Sequence, residues 1–224
     1  LSILELSEAG AQPMHSANNR FVISFNGEIY NHLVLRTQLD NELGNIAWRG
    51  GSDTETLLEC IAAWGLKRTL QAAVGMFAFA LWDTQENELV LARDRLGEKP
   101  LYWGWCGDVL LFGSELAALK AHPSFNANID RNSLALLMRY NSIPAPYSIY
   151  EGIEKLKSGH LVRIKKGQKR SDVLPEPYWS FKDVVETGIA NPFTGDDAQA
   201  ANALESRLNQ SVAGQMLADV PLGA

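Results

Sequence analysis

The segment Asn26-Gly27-Glu28 contains residue types that can stabilise an oxyanion. It follows an apolar and aromatic run at 21–25, which predicts a short buried strand that leads into a tight loop at Asn26-Gly27. An Asn side-chain amide beside a Gly backbone N–H provides two preorganised donors for the oxygen of a tetrahedral intermediate. The Asn-Gly pair is also common in tight turns, so a purely structural turn is the alternative interpretation.

Asp53 is the second candidate, and its sequence context predicts that it lies in the first turn of a helix. Ser52 and Glu55 have the S-x-x-E spacing of a capping box, apolar residues follow at helical spacing, and Gly65 is placed to end the helix. An acidic side chain at this position interacts favourably with the helix dipole. The functional alternative is a carboxylate that binds an ammonium group.

The charged run at 93–100 directly follows a predicted buried strand. We expect Arg93 and Asp94 to form a partly buried ion pair that fixes this loop, with an ordinary solvated loop as the alternative. Cys60 lies on the apolar side of the predicted helix and is interpreted as a buried thiol. The four histidines are scattered singly and are interpreted as surface or capping residues.

Sequence periodicity predicts a layered α+β domain, because apolar runs typical of strands alternate with amphipathic helical patterns. Asn31 is expected to cap a helix whose buried stripe contains Leu35, Leu39 and Leu43. An antiparallel meander is predicted from strands at 76–82, 89–92, 101–105 and 109–112. Further helices are predicted at 115–120, 131–140 and through 204–212, with a strand at 160–164 and a connection without periodicity at 165–196.

Composition limits the classes of partner and cofactor. The 224 residues carry a formal net charge of −6, which leaves no excess of cations for a phosphate backbone, so nucleic acid is not expected as a partner. The longest apolar stretch, 72–82, is much shorter than the roughly 20 residues of a membrane span. Two cysteines without metal-ligand spacing predict neither a metal site nor a disulfide scaffold, and a cytoplasmic location is expected.

Several segments, taken in order, resemble the glutamine-dependent asparagine synthetase family. They are found at 1–7, 12–14, 25–31, 51–55, 75–79, 92–102, 144–146, 159–160 and 219–224. The resemblance implies a class II glutamine amidotransferase domain with the N-terminal-nucleophile hydrolase fold, a four-layer αββα sandwich of two antiparallel sheets. It divides the chain into a glutaminase domain at 1–165, a linker at 166–196 and the beginning of an α/β ATP-pyrophosphatase synthetase domain at 197–224.

The resemblance also implies an activity and residue roles. The family hydrolyses glutamine to glutamate and ammonia, and its synthetase domain uses ATP and Mg²⁺ to convert aspartate into asparagine. By motif, Asn26 and Gly27 are the oxyanion donors and Asp53 binds the α-amino group of glutamine. The same motifs place Glu28 and the segment Leu1, Ser2, Ile3 and Leu4 along the glutamine pocket.

The family's nucleophilic cysteine and the arginine that holds the glutamine carboxylate are expected upstream of Leu1. We therefore expect the chain to be a piece of a longer protein and to be inactive alone. The alternatives left open are a non-catalytic glutaminase-like binding module, another class II amidotransferase, a β-lactam-synthetase-like relative, and an amidotransferase acting on another carboxylate such as a polysaccharide precursor. A homodimer also stays open.

Overall fold

The structure is a computed structural model that describes Glu5, residues 7–44 and residues 46–216. The strands in this part of the chain are β1 (Met14–His15), β2 (Phe21–Ile29), β3 (Gly75–Asp83), β4 (Glu88–Arg93), β5 (Tyr102–Cys106), β6 (Val109–Gly113), β7 (Ile153–Lys155), β8 (His160–Lys165) and β9 (Glu176–Pro177). The α-helices are α1 (His32–Leu43), α2 (Asp53–Trp64), α3 (Leu66–Ala72), α4 (Leu116–Lys120), α5 (Arg131–Tyr140), α6 (Phe181–Ala190) and α7 (Asp197–Gln215). Two short 3₁₀ helices are formed by Glu8–Gly10 and Arg170–Asp172.

The chain forms two compact units. The first unit contains the described residues of Leu1–Asn19, Glu28–Gly75 and Ser180–Ala224, and the second contains Arg20–Gly27 and Met76–Trp179. The predicted layered α+β class is supported by the second unit, in which strands form two sheets and a helix covers one of them. The division into domains at 165 and 196 stays a prediction.

The helices of the first unit largely follow their sequence signals. Leu35 and Leu39 of α1 are buried and α1 packs against α2, but Leu43, which was predicted to continue the stripe, is exposed. The Ser52 hydroxyl accepts from the backbone N–H of Thr54 at 3.1 Å, so the predicted N-cap of α2 is confirmed. The predicted capping box is wrong, because the Glu55 carboxylate accepts from the backbone N–H groups of Arg49 and Gly50 and not from that of Ser52. Gly65 ends α2 with a φ of 80°, a conformation that glycine adopts without steric cost.

Two sheets pack face to face in the second unit. The larger has the order β2-β3-β4-β8-β9, in which the β3–β4, β4–β8 and β8–β9 pairs are antiparallel, and the smaller has the antiparallel order β6-β5-β7. Leu91 of the larger sheet and Trp103 of the smaller belong to one buried apolar cluster. Leu119 of α4 covers the opposite face of the smaller sheet, against Cys106 and Ile153.

The predicted hairpin of β3 and β4 is confirmed, with Ala78 opposite Arg93 and Asp83 opposite Glu88. The prediction of one four-stranded meander is wrong. The loop after β4 carries the chain out of the larger sheet, and β5 and β6 pair in the smaller one. Hydrophobic patterning identifies strands but does not say which sheet each one joins, because both sheets bury the same types of residue.

The expected turn at Asn26-Gly27 is also wrong, since β2 continues through both residues to Ile29. A second difference lies in the stretch predicted to lack periodicity, where α6 runs from Phe181 to Ala190 with Ser180 as its N-cap. The large apolar residues of α6 are Phe181, Val184, Val185 and Ile189, which have the i, i+3, i+4, i+8 spacing of an amphipathic helix, so the sequence carried a helical signal that the prediction missed. These four side chains are exposed.

The helix predicted through Leu204, Leu208 and Val212 is confirmed as α7, which begins with a capping box formed by Asp196 and Gln199. The segment at 219–224, which resembles the entry to a pyrophosphate-binding loop, lies outside the described residues. Within the described residues, the helices lack the combination of length and hydropathy required for a membrane span.

Candidate active site

Asn26 lies in β2 with its side chain exposed and its orientation fixed. Its Nδ2 donates to the hydroxyl of Ser114 at 3.0 Å, within the second unit. A side-chain amide carries two N–H donors, so this bond holds the amide while its second N–H can serve another acceptor. The arrangement is suited to an oxyanion donor, because a donor contributes most when its direction is set before the charge develops.

Gly27 occupies a position that has no room for a side chain. A Cβ built on it would lie 2.1 Å from the carbonyl oxygen of Met76 and 2.6 Å from Cα of Phe77. Position 27 therefore needs glycine because the backbone of β2 comes very close to the beginning of β3. The sequence had suggested a turn as the reason. Phe25 stacks on Phe77 with ring centroids 6.5 Å apart, so β2 and β3 are packed together beside this approach.

Asp53 is buried in the first unit, with 4 % of its surface exposed. One carboxylate oxygen accepts from the backbone N–H of Ile29 at 2.8 Å, and the other accepts from that of Thr54 at 2.7 Å. Burial raises the pKa of Asp53, although both backbone bonds and the nearby His32 act in the opposite direction. These contacts tie the first residue of α2 to the end of β2, which favours the structural interpretation of Asp53.

Two other sequence predictions concern this region. His32 is not a surface residue: 5 % of it is exposed, and its Nδ1 lies 3.0 Å from the carbonyl oxygen of Ile29. Glu28 is also buried, at 9 % exposure. Leu1, Ser2, Ile3 and Leu4, which were predicted to line the pocket, lie outside the described residues.

The loop that leads into Asp53 is held by three charged side chains, of which the sequence singled out only Glu55, as a capping-box residue. Arg36 donates to the carbonyl of Gly50 at 2.9 Å, and the Glu5 carboxylate accepts from the N–H of Gly51 at 2.8 Å. Glu55 accepts from the N–H groups of Arg49 and Gly50 at 2.9 and 3.1 Å, so it ties this loop to α2.

Arg93 and Asp94 fix their loop separately, and not as the predicted ion pair. The guanidinium of Arg93 donates to three backbone carbonyls, those of Lys99, Leu156 and Gly97. Asp94 is fully buried and accepts from five backbone N–H groups, those of Phe77, Leu96, Gly97, Glu98 and Lys99. The bond to Phe77 connects this loop to the beginning of β3, where Gly27 makes its close approach.

The cysteines have the properties of packing residues. Cys60 and Cys106 are both buried and free, and burial raises the pKa of the Cys60 thiol to about 12. The interpretation of Cys60 as a buried thiol is confirmed. Within the described residues, His, Cys, Asp and Glu form no cluster of three or more that could hold a metal ion.

Comparison with solved structures identifies the class of fold. Glutamine phosphoribosylpyrophosphate amidotransferase from Bacillus subtilis, in complex with ADP and GMP, aligns with a TM-score of 0.55 and 23% identity, over 78% of this chain and 33% of that one. At this identity the likeness shows the fold alone. The fold is thus the N-terminal-nucleophile-hydrolase-like fold of glutamine amidotransferases, with two antiparallel sheets and helices.

Sequence comparison identifies the family. The family described as "Glutamine amidotransferase domain" matches residues 1–179, so the chain belongs to the class II glutamine amidotransferase domain family. Asparagine synthetase [glutamine-hydrolyzing] 3 of Bacillus subtilis (strain 168) is 32% identical over 99% of this chain and 34% of its own length. A Mycobacterium tuberculosis H37Rv protein provisionally named asparagine synthetase [glutamine-hydrolyzing] is 36% identical over 100% of this chain and 34% of its own length. The chain spans about a third of these relatives.

Proposed function

We propose that this chain is the glutamine-hydrolysing part of an asparagine synthetase. In this proposal, the full protein releases ammonia from glutamine and uses ATP and Mg²⁺ to convert aspartate into asparagine. The observation that carries the proposal is the match to glutamine-hydrolysing asparagine synthetases over essentially the whole chain. The oriented amide of Asn26, next to a glycine that no other residue can replace without a clash, supports it.

The proposed hydrolysis has two steps. A cysteine thiolate, supplied by sequence outside these 224 residues, attacks the side-chain amide carbon of glutamine and gives a tetrahedral intermediate with a negatively charged oxygen. Asn26 Nδ2 and the Gly27 N–H donate to that oxygen. The C–N bond breaks, ammonia leaves after protonation, and water then hydrolyses the thioester to glutamate and the free thiol.

Asp53 and Glu28 are assigned to the glutamine pocket in this proposal, with Asp53 receiving the α-ammonium group. A carboxylate oxygen has two lone pairs, so the bonds from Ile29 and Thr54 leave Asp53 with further accepting capacity. An ammonium ion beside Asp53 would also oppose the effect of burial on its pKa. Binding of glutamine and support of α2 are then two roles of one side chain.

The test begins with the gene on both sides of this sequence. A cysteine directly after the initiator methionine and a pyrophosphate-binding loop after residue 224 are expected. The purified full protein is then assayed for glutamate release from glutamine and for asparagine formation from aspartate and ATP, with glutamine or ammonium chloride as nitrogen source. Glutamine-dependent formation of asparagine supports the proposal.

Two experimental outcomes would favour a different function. A gene without the upstream cysteine would favour a non-catalytic module. Glutamate release without asparagine formation would favour a different acceptor carboxylate, to be sought by following ATP cleavage to AMP and pyrophosphate across a panel of carboxylic acids.

A further inference from the structure

His32 is a buried titratable side chain that the proposed glutaminase chemistry does not use. It is the first residue of α1, and only 5 % of it is exposed. Its Nδ1 lies 3.0 Å from the carbonyl oxygen of Ile29. Because a carbonyl oxygen only accepts, Nδ1 carries the hydrogen and donates it. The imidazole ring is thus fixed to the end of β2.

Asp53 holds the other backbone group of the same residue. The N–H of Ile29 donates to Oδ2 of Asp53 at 2.8 Å, while the carbonyl of Ile29 accepts from His32. Ile29 is the last residue of β2, and all three residues belong to the first unit. Loss of the bond from His32 would therefore release the residue whose N–H orients the carboxylate.

The direction of the Asp53 carboxylate depends on this bond. Its second oxygen, Oδ1, accepts from the N–H of Thr54 at 2.7 Å and lies 3.4 Å from the hydroxyl of the same residue. Both of these contacts are local to the first turn of α2. Within the described part of the chain, the bond from Ile29 is the one hydrogen bond that ties the carboxylate to another element.

His32 is also the charged neighbour of Asp53. Burial raises the pKa of Asp53, and His32 is the ionisable side chain whose charge opposes this effect. Arg36, one turn further along α1, has its guanidinium 3.8 Å from the carboxylate of Glu55. This cation is therefore already paired, and His32 and Asp53 form a separate pair of polar groups around the end of β2.

We propose that His32 is a positioning residue for glutamine, because it holds Ile29 where its N–H aims the Asp53 carboxylate at the α-ammonium group. The inference rests on the proposed function, which assigns that group to Asp53. It adds a selectivity, since a substrate with the ammonium group depends on His32 and a substrate without it does not. Glutaramate, which is glutamine without the α-amino group, is the matched substrate.

The measurement is the ratio of kcat/KM for glutamine to kcat/KM for glutaramate, determined with the full protein. His32→Phe keeps a flat ring and removes the donor, so the ratio is expected to fall about 2- to 10-fold, the fold-change for one hydrogen bond. The decrease is expected in the KM for glutamine, with little change in kcat. Glu42→Gln is the control, because it changes an exposed residue at the other end of α1.

His32→Asn is the conservative variant. Its amide nitrogen is as many bonds from Cα as Nδ1 of histidine, so it can donate to Ile29 and is expected to restore most of the ratio. Asp53→Asn is the reference variant, and it is expected to lower the ratio further than His32→Phe does, because it removes the negative charge itself.

The outcomes separate this inference from the proposed function. An unchanged ratio in His32→Phe, together with a lowered ratio in Asp53→Asn, overturns the role of His32 and leaves the proposed function in place. Equal losses on both substrates in His32→Phe would mean that His32 supports only the fold, which also overturns it. An unchanged ratio in Asp53→Asn rejects the assignment of Asp53 and this inference with it.

Hydrogen exchange of the 224-residue chain tests the contact without any activity. The amide of Ile29 is expected to exchange about 2- to 10-fold faster in His32→Phe, while amides in the middle of α2 keep their rates. His32→Asn is expected to return the Ile29 rate close to its original value, and an unchanged rate in His32→Phe overturns the positioning role. This measurement decides that role even if the full protein hydrolyses no glutamine. If His32→Phe does not fold, His32→Gln, whose amide is one bond too long to replace Nδ1, takes its place.

Discussion

At the scale of single residues, the proposed function assigns the side-chain amide of Asn26 to the oxyanion of glutamine hydrolysis. Replacing Asn26 by Ala in the full protein removes one oxyanion donor, so the glutamine-dependent rate is expected to fall by about two to three orders of magnitude. The ammonia-dependent rate is expected to stay unchanged, because it bypasses glutamine hydrolysis. Both rates are measured as asparagine formed.

Ser114→Ala is the matched variant for this prediction. It keeps the amide of Asn26 and removes only the 3.0 Å bond that orients it, so a smaller decrease is expected. Equal decreases of the glutamine and ammonia rates in Asn26→Ala would mean that Asn26 supports the fold and not the chemistry.

Gly27 gives a second prediction, which concerns stability. A Cβ 2.1 Å from the carbonyl oxygen of Met76 forces β2 and β3 apart, so Gly27→Ala is expected to lower the free energy of unfolding by more than about 2 kcal/mol. Gly188→Ala is the control, because its Cβ has no neighbour within 4 Å and alanine favours a helix such as α6. Urea unfolding is the measurement, and equal midpoints for the two variants would contradict the close approach.

At the scale of elements, the Arg20–Asp83 pair joins the residue before β2 to the last residue of β3. The guanidinium contacts both carboxylate oxygens, with an Nη2–Oδ2 distance of 2.6 Å. Burial opposes ionisation of Asp83, but the bonds from Arg20, Glu86 and Gln85 prevail and hold its pKa below the usual range. The folded protein thus binds the proton at Asp83 less readily than the unfolded chain does.

The lowered pKa of Asp83 determines whether the stability of the folded protein rises or falls with pH. A lowered pKa in the folded state stabilises the protein above the unfolded value, near 4, and this contribution is lost as the pH falls through the folded pKa. Asp83→Asn is therefore expected to cost about 1–3 kcal/mol at pH 7 and progressively less below pH 4. Unfolding of both proteins in urea between pH 2 and pH 7 measures the difference. A constant difference across this range would contradict the assignment, and Glu86→Gln should change little, because its ion pair with Lys165 is exposed.

The loop between β4 and β5 depends on Asp94 more than on any ion pair. Asparagine at this position keeps one accepting oxygen and turns an NH₂ group towards backbone donors, so Asp94→Asn is expected to lower the free energy of unfolding by about 3 kcal/mol or more. Asp108→Asn removes an exposed pair with Arg170 and is expected to cost less than about 1 kcal/mol. Equal costs in urea unfolding would mean that the five backbone bonds contribute little.

Some features of these elements could be predicted from the sequence and others could not. The caps of α2 and the β3–β4 hairpin were predictable because they depend on local signals, a serine, a glycine and a polar turn. The role of Gly27 was not, because Asn-Gly locally favours a turn, and the close contact with Met76 overrides this preference in the strand. The environment of Asp94 was equally hidden, since its partners are backbone groups that carry no sequence signal.

At the scale of the whole chain, both cysteines are inside the fold and neither has the properties of a nucleophile. Burial raises the pKa of Cys60 to about 12, so it is a neutral thiol at physiological pH, and Cys106 is buried in the cluster beneath α4. Both are internal residues, so neither has a free α-amine that could act as a base for its own thiol.

We therefore expect the 224-residue chain to release no ammonia from glutamine above the uncatalysed rate. The measurement is glutamate formation over hours, for the chain and for a Cys60→Ala, Cys106→Ala double variant. Turnover by the chain that is lost in the double variant would mean that one buried cysteine becomes exposed and acts as the nucleophile. Turnover that survives in it would mean that hydrolysis needs no cysteine, and the assignment of Asn26 and Gly27 to a thiol-derived oxyanion would have to be abandoned.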